Sequence, residues 1–98
     1  SVLTTASRDT LRKQATWLRA NSEITVVLEG HADERGTREY NLALGERRAN
    51  SAKDYVVGYG IDPSRISTIS YGKERPVASA SSESAWMKNR RAVTVQVN

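Results

Sequence analysis

ITVVLEGHADERGTREYNLALGERRANSAKDYVV, residues 24–57, is the stretch whose reading decides the fold. Its opening, Ile24 to Glu29, is rich in β-branched residues and sets Ile24, Val26 and Leu28 on one face, which predicts a strand. Val27 on the opposite face predicts burial on both sides. Gly30 to Gly36 is polar and carries the turn residues of a loop. From about Thr37 to Val57 the period changes: Leu42, Gly45, Ala49, Ala52 and Val56 recur three and four apart, the buried stripe of a long helix. Three of those five side chains are small, so the helix is expected to lie close to a sheet. Strand, polar loop and helix in this order make the opening half of an α/β unit.

Outward from this unit the pattern continues. Before it, Leu11, Ala15 and Leu18 repeat at helical spacing between Thr5 and about Asn21, with Arg8, Arg12, Lys13 and Arg19 around the other side. Thr4, Thr5 or Ser7 supplies the cap, and the helix stops near Asn21. After it, Gly58 and Gly60 offer the left-handed geometry that ends a helix, and Ile61 to Ser64 forms a turn. Ile66 to Tyr71 is a second strand. Gly72 to Ser84, with Pro76 and several serines, is a surface connection, and Glu83 to Lys88 is expected to hold a short helical turn. Ala92 to Val97 is the last strand, with Val93, Val95 and Val97 on one face. The order predicts an α/β sandwich, two helices on one side of a small mixed β-sheet, as one domain over residues 1–98.

Composition narrows the functions this domain can host. Ninety-eight residues suffice for one core and not for a cleft between two domains. With no cysteine there is no disulfide, thiolate metal site or cysteine nucleophile. Fifteen Lys and Arg against eleven Asp and Glu give a formal charge of +4, a mild preference for anionic surroundings with no basic block. No apolar run approaches the roughly 20 residues of a membrane-spanning helix. Ser1-Val2-Leu3 carries no initiator methionine and runs almost directly into the first helix, the pattern expected of a fragment from which processing or trimming of a longer chain has removed an anchor.

The densest chemistry lies in residues 30–49, where charged side chains surround the chain's single histidine. A catalytic reading would make His31 a general base oriented by Asp33 or Glu34, but no serine sits in a nucleophile-elbow context. A metal reading would use His31, Asp33 and Glu34, and lacks the further His or Cys that zinc requires. Neither an enzyme nor a metal or other cofactor is therefore expected. Asp33 lies in the strand-to-helix loop, where ligands settle in α/β folds, near the positive end of the next helix. Asn41, Leu44 and Arg48 fall along one face of that helix. Two readings follow with equal weight: a small cleft with opposite charges on its walls, suited to a zwitterionic amino-acid end, or an Asp33–Arg48 ion pair that pins the loop to the helix.

Gly30-His31-Ala32-Asp33-Glu34-Arg35-Gly36-Thr37, then Tyr40-Asn41, Leu44 and Glu46-Arg47-Arg48-Ala49, resembles the peptidoglycan-binding signature of the OmpA-like C-terminal domain family. The variant is the one found in peptidoglycan-associated lipoproteins. Ser70 to Pro76 and Asn89 to Ala92 extend the resemblance over essentially the whole chain. It implies a noncatalytic domain that grips the diaminopimelate-containing stem peptide of peptidoglycan and tethers the outer membrane to the cell wall from the periplasmic side. It assigns the ligand's ammonium to Asp33 and its carboxylate to Arg48, with Asn41 and Leu44 beside them. It further implies a Tol-Pal partner, the periplasmic propeller protein TolB, on an overlapping surface that includes Glu34, Arg35 and Thr37. Membrane attachment would come only through a lipid anchor upstream. The family's domain opens with a strand before the first helix, and only Val2 and Leu3 stand where that strand would end, so one strand is expected to be missing.

The remaining candidates have plainer readings. Trp17 and Trp86 would stack on sugars or, more commonly, contribute to the core. Lys73, Glu74 and Arg75 belong to a surface turn, and Arg90 and Arg91 to a solvated strand start. The alternative function is a nucleic-acid-binding module using Arg8, Arg12, Arg19, Arg47 and Arg90, and a wall-cleaving enzyme is the third.

Overall fold

Thr4 opens the first helix as a cap: its extended backbone leaves the hydroxyl free to accept the Ser7 N–H at 3.0 Å. In the computed structural model, which describes residues 3–74 and 91–97, this helix, α1, runs Thr5–Ala20 and buries Leu11, Ala15 and Leu18. Its far end is closed by a residue far along the chain. Arg65 donates Nη2 to the carbonyls of Leu18 and Asn21, both at 2.8 Å, and Nε to that of Ile24 at 3.1 Å. Leu18 O also accepts the Asn21 N–H at 3.2 Å and Asn21 O the Ile24 N–H at 3.1 Å, so the guanidinium adds bonds to this turn and opposes the negative end of the helix dipole.

The strand β1 runs Val26–His31, two residues later than the periodicity suggests at each end. Val26 and Leu28 face the core as expected, while Ile24 lies before the strand and is half-buried. Val27 and Glu29 on the other face are also only half-buried, so the two-sided burial expected from Val27 is partial. Gly30 and His31, read as loop from sequence, continue the strand and are buried.

The helix α2 spans Arg38–Gly58, with Thr37 as its cap, accepting the Tyr40 N–H at 3.1 Å. Its buried stripe is Asn41, Gly45, Ala49, Ala52 and Val56. Asn41 thus takes the inward position that its neighbour Leu42, half-buried, was expected to hold. Gly45 meets Gly30 across the helix–sheet boundary, so closely that a Cβ built on Gly30 would stand 1.6 Å from the Gly45 carbonyl oxygen. The small stripe lets α2 lie directly on β1. Of the two glycines expected to end this helix, Gly60 has the positive φ, 95°, whereas Gly58 remains helical. The turn that follows is a 3-10 helix, Pro63–Arg65, capped by Asp62.

Strand β2, Ile66–Gly72, pairs parallel with β1, and β3, Arg91–Gln96, pairs antiparallel with β1 on its other side, giving the order β2-β1-β3. The sheet is therefore mixed, and α2 supplies the crossover that a parallel neighbour demands. One face carries both helices over a core of Leu11, Leu18, Val26, Leu28, Val56, Ile61 and Ile66. Val95 and Val97 are exposed on the other, as is Ile69. The expected helical turn at Glu83 to Lys88, together with Trp86 and Arg90, lies outside the described residues. No helix among the described residues is long and apolar enough to cross a membrane.

Candidate functional site

The end of β1 and the start of α2 hold the site because the strand delivers its last residues directly beneath the helix. The register with β2 slips between Gly30 and His31, Gly30 facing Ser70 and His31 facing Gly72. Gly72 takes a positive φ of 54°, and a Cβ there would lie 2.9 Å from the Leu42 backbone nitrogen. Its carbonyl receives the Ala32 N–H at 2.7 Å, and Ser70 Oγ donates to the Leu42 carbonyl at 2.6 Å. These contacts fix the two strand ends against the first turns of α2, and the loop 32–37 leaves from that base.

Asparagine 41 then ties the loop down. Its Nδ2 donates to the carbonyls of Arg35 and, at 2.8 Å, Thr37. The side chain is almost wholly buried, so it shapes the site by holding the loop backbone. Gly36 lies within this arch with φ 89°, a conformation that favours glycine. From the far side Lys73 Nζ donates to the Gly36 carbonyl at 2.7 Å, and Glu74 pairs with Arg38. Lys73 and Glu74, expected in a mere surface turn, brace the loop and the helix that follows it.

Between loop and helix is an open cavity of about 360 Å³, lined by Asp33, Arg35, Tyr40, Asn41, Leu44 and Arg48 with the backbone of Ala32 and Gly36. The four side chains that the sequence singled out for a ligand are thus brought together. Asp33 is buried, 5% exposed, and its carboxylate is gripped by Arg35: Oδ1 accepts the Arg35 backbone N–H at 3.0 Å and Nε at 3.2 Å, and Oδ2 accepts Nη2 at 2.8 Å. Arg48 donates Nη1 to the His31 carbonyl at 2.8 Å. Asp33 is thus paired within the loop, by Arg35, while Arg48 reaches the His31 carbonyl; spacing had left an Asp33–Arg48 pair and a two-charge cleft equally open. The cavity offers a carboxylate, two guanidinium groups, a tyrosine ring and a leucine. Such a set can hold a small ligand carrying both charges, with apolar contact for a short chain between them.

Glu34, Arg35 and Thr37 are exposed, in contrast to the buried Asp33, although the Arg35 guanidinium also lines the cavity and holds the Asp33 carboxylate. Tyr40, 61% exposed, entered the sequence reading only as part of the family signature and not as a site residue, although its place four residues before Leu44 puts the two on one helix face. Arg35 was read as a partner contact and not as a group of the cavity. His31 turns its ring away from the cavity: the ring stacks on Tyr71 with centroids 5.5 Å apart, and Nε2 lies 3.2 Å from Glu29 Oε1. Its contribution to the site is its carbonyl. Among the basic side chains proposed for nucleic acid, Arg8 donates to the Leu3 carbonyl, Arg12 pairs with Asp9 and Arg19 donates to the Tyr59 carbonyl. Trp17 is half-exposed on α1, beside Leu18 and Val26 at the edge of the core.

Comparison with known proteins places the fold. The chain is similar to the peptidoglycan-associated lipoprotein of Mesorhizobium japonicum, 59% identical over 88 residues that cover 90% of this chain and 52% of that protein. With the protein of the same name from Brucella melitensis it shares 52% identity over 95 residues, 97% of this chain and 56% of the relative. The chain thus spans about half the length of these curated relatives. The crystal structure of the peptidoglycan-associated lipoprotein from Burkholderia pseudomallei superposes with a TM-score of 0.93 at 35% identity, over 99% of this chain and 83% of that one. The C-terminal domain of Helicobacter pylori MotB shares the fold, with a TM-score of 0.88 at 21% identity, over 100% of this chain and 78% of that one. The model of the OmpA family matches residues 1–90, and with a sheet of the same architecture behind that match, the chain belongs to the OmpA family.

Proposed function

We propose that this domain binds the diaminopimelate-containing stem peptide of peptidoglycan without cleaving it, and that it tethers the outer membrane to the cell wall from the periplasmic side. The observation that carries the reading is that Asp33 and Arg48 line one cavity with Leu44 between loop and helix. A diaminopimelate side chain ends in an ammonium and a carboxylate on one carbon, so it presents both charges to opposite walls. Arg48 supplies a planar fork for the carboxylate, and Asp33 a buried acceptor for the ammonium. The names of the relatives support the same class of ligand. Membrane attachment belongs, in this reading, to a lipid anchor upstream of the domain.

TolB occupies the outer surface of the same loop, with Glu34, Arg35 and Thr37 as contacts, so that wall and TolB compete. The exposure of those three residues, in the loop that also contributes Asp33 and Arg35 to the cavity, supports the overlap. Titration calorimetry with a diaminopimelate stem peptide and its lysine analogue tests the ligand. Arg48→Ala and Asp33→Ala are each expected to cost about 2–4 kcal/mol of binding, because the partner charge is left poorly paired. Equal affinity for the two peptides rejects the assignment. So does a loss of binding that merely follows a loss of folding in both variants, which melting curves would reveal.

A further inference from the structure

We propose that Arg35 is a specificity-determining residue of this site, an internal cation that holds Asp33 until a ligand's ammonium displaces it. The inference rests on the function proposed above and goes further, to how the site selects its ligand. Asp33 is 5% exposed, and a carboxylate so far from water is costly unless a cation or several donors attend it. Arg35 provides both, through Nε and Nη2 on the two oxygens and through its own backbone N–H. Its side chain is nevertheless half in solvent, 50% exposed, and lines the cavity that Asp33 faces.

The residue is built in two parts that behave differently. Its carbonyl is fastened by Asn41, and its N–H at 3.0 Å keeps Asp33 Oδ1 aimed. Neither contact needs to change when the guanidinium swings outward by rotation of its side chain. The buried carboxylate then exchanges one cation for another, and its charge stays compensated throughout. A ligand with a neutral group at that end has nothing to exchange, so it must leave Arg35 in place or strand Asp33. Arg35 therefore imposes the requirement for a cationic end, at the cost of competing with every ligand that has one.

Removing the competitor should tighten binding. Arg35→Ala and Arg35→Gln are expected to bind the diaminopimelate stem peptide about 3- to 10-fold more tightly than the wild type, the scale of one partly exposed ion pair and of the fraction of sites it blocks. Arg35→Lys, a cation without the fork, should fall between. A group that only props up the loop would loosen binding when removed, so the direction separates the roles. Proton NMR of the Arg35 Nε–H adds a second readout: exchange with water should be slow in the free protein and speed up when peptide is added, while the backbone N–H of Arg35 stays protected. Unchanged or weaker peptide binding in both Arg35 variants, with the wild type binding normally, overturns the exchange and leaves the proposed function standing. A wild type that binds no stem peptide rejects the proposed function and this role of Arg35 together.

Discussion

Replacing Gly30 by alanine adds one methyl group, and the structure indicates that the fold has no room for it. The new Cβ would stand 1.6 Å from the Gly45 carbonyl oxygen and 2.4 Å from its carbon, where ordinary contact begins near 3.4 Å. Both obstacles are backbone, so no rotamer change relieves them, and α2 must lift from β1 by about 1.8 Å, from 1.6 to 3.4 Å. A gap of even ~0.5–1 Å forfeits a quarter to a half of the attraction between facing atoms. The fully buried Ala49 and Ala52 on the same stripe would be unpacked with it. Overpacking a core costs about 1–3 kcal/mol when side chains can yield, and here they cannot, so we expect about 3–5 kcal/mol. In urea unfolding that is a midpoint lower by roughly 1–5 M at the m-values of about 1–3 kcal/mol/M typical of small proteins.

Gly58→Ala is the matched control. A Cβ at Gly58 meets nothing within 4 Å, and the residue is helical, so the same methyl group should stabilise by up to about 1 kcal/mol through helix propensity. A Gly30→Ala protein within about 1 kcal/mol of wild type would refute the close approach of α2 to β1, and with it the placement of Arg48 over the His31 carbonyl.

Arg65→Met keeps the apolar stem and deletes the three bonds to the carbonyls of Leu18, Asn21 and Ile24; thermal melts should show a loss of about 1.5–3 kcal/mol, with Arg65→Lys recovering only part. The backbone N–H and hydroxyl of Ser64 hold the Asp62 carboxyl below the usual carboxylate range. A pKa lowered by folding stabilises above the unfolded value and is lost as pH falls through the folded one, so Asp62→Ala should be less stable than wild type at neutral pH and the gap should narrow in acid. A gap that widens as the pH drops would contradict that sign.

Much of the fold was legible because periodicity reports a local cause. Leu11, Ala15 and Leu18 repeat as a helix must repeat, Thr4 and Thr37 have the side chains that cap one, and the small residues of α2 signalled close packing before Gly30 and Gly45 were seen to touch. The cavity-lining set of Asp33, Asn41, Leu44 and Arg48 was legible too, since three of them share a helix face and the fourth precedes that helix in the adjoining loop. Element ends were less so. Gly30 and His31 looked like loop because a polar, glycine-bearing segment has no propensity for a strand; pairing with Ser70, Gly72 and β3 overrides that weakness.

What the sequence determined by itself is therefore the inventory: the elements, the buried stripes, and the acidic and basic groups placed near one another. Only the tertiary structure decided which partner each group takes. Asp33 has Arg48 within reach on the helix and Arg35 two residues along, and spacing does not choose between them. The arch of the loop does, by burying Asp33 and turning the Arg35 fork onto it while Arg48 reaches the carbonyl of His31. Asn41 replaces Leu42 on the inward face for the same reason: the loop carbonyls it satisfies exist as a cluster only once the loop has closed. Hydrogen bonds and ion pairs depend on distances of a few ångströms between segments far apart in the chain, and a one-dimensional pattern carries no such distances.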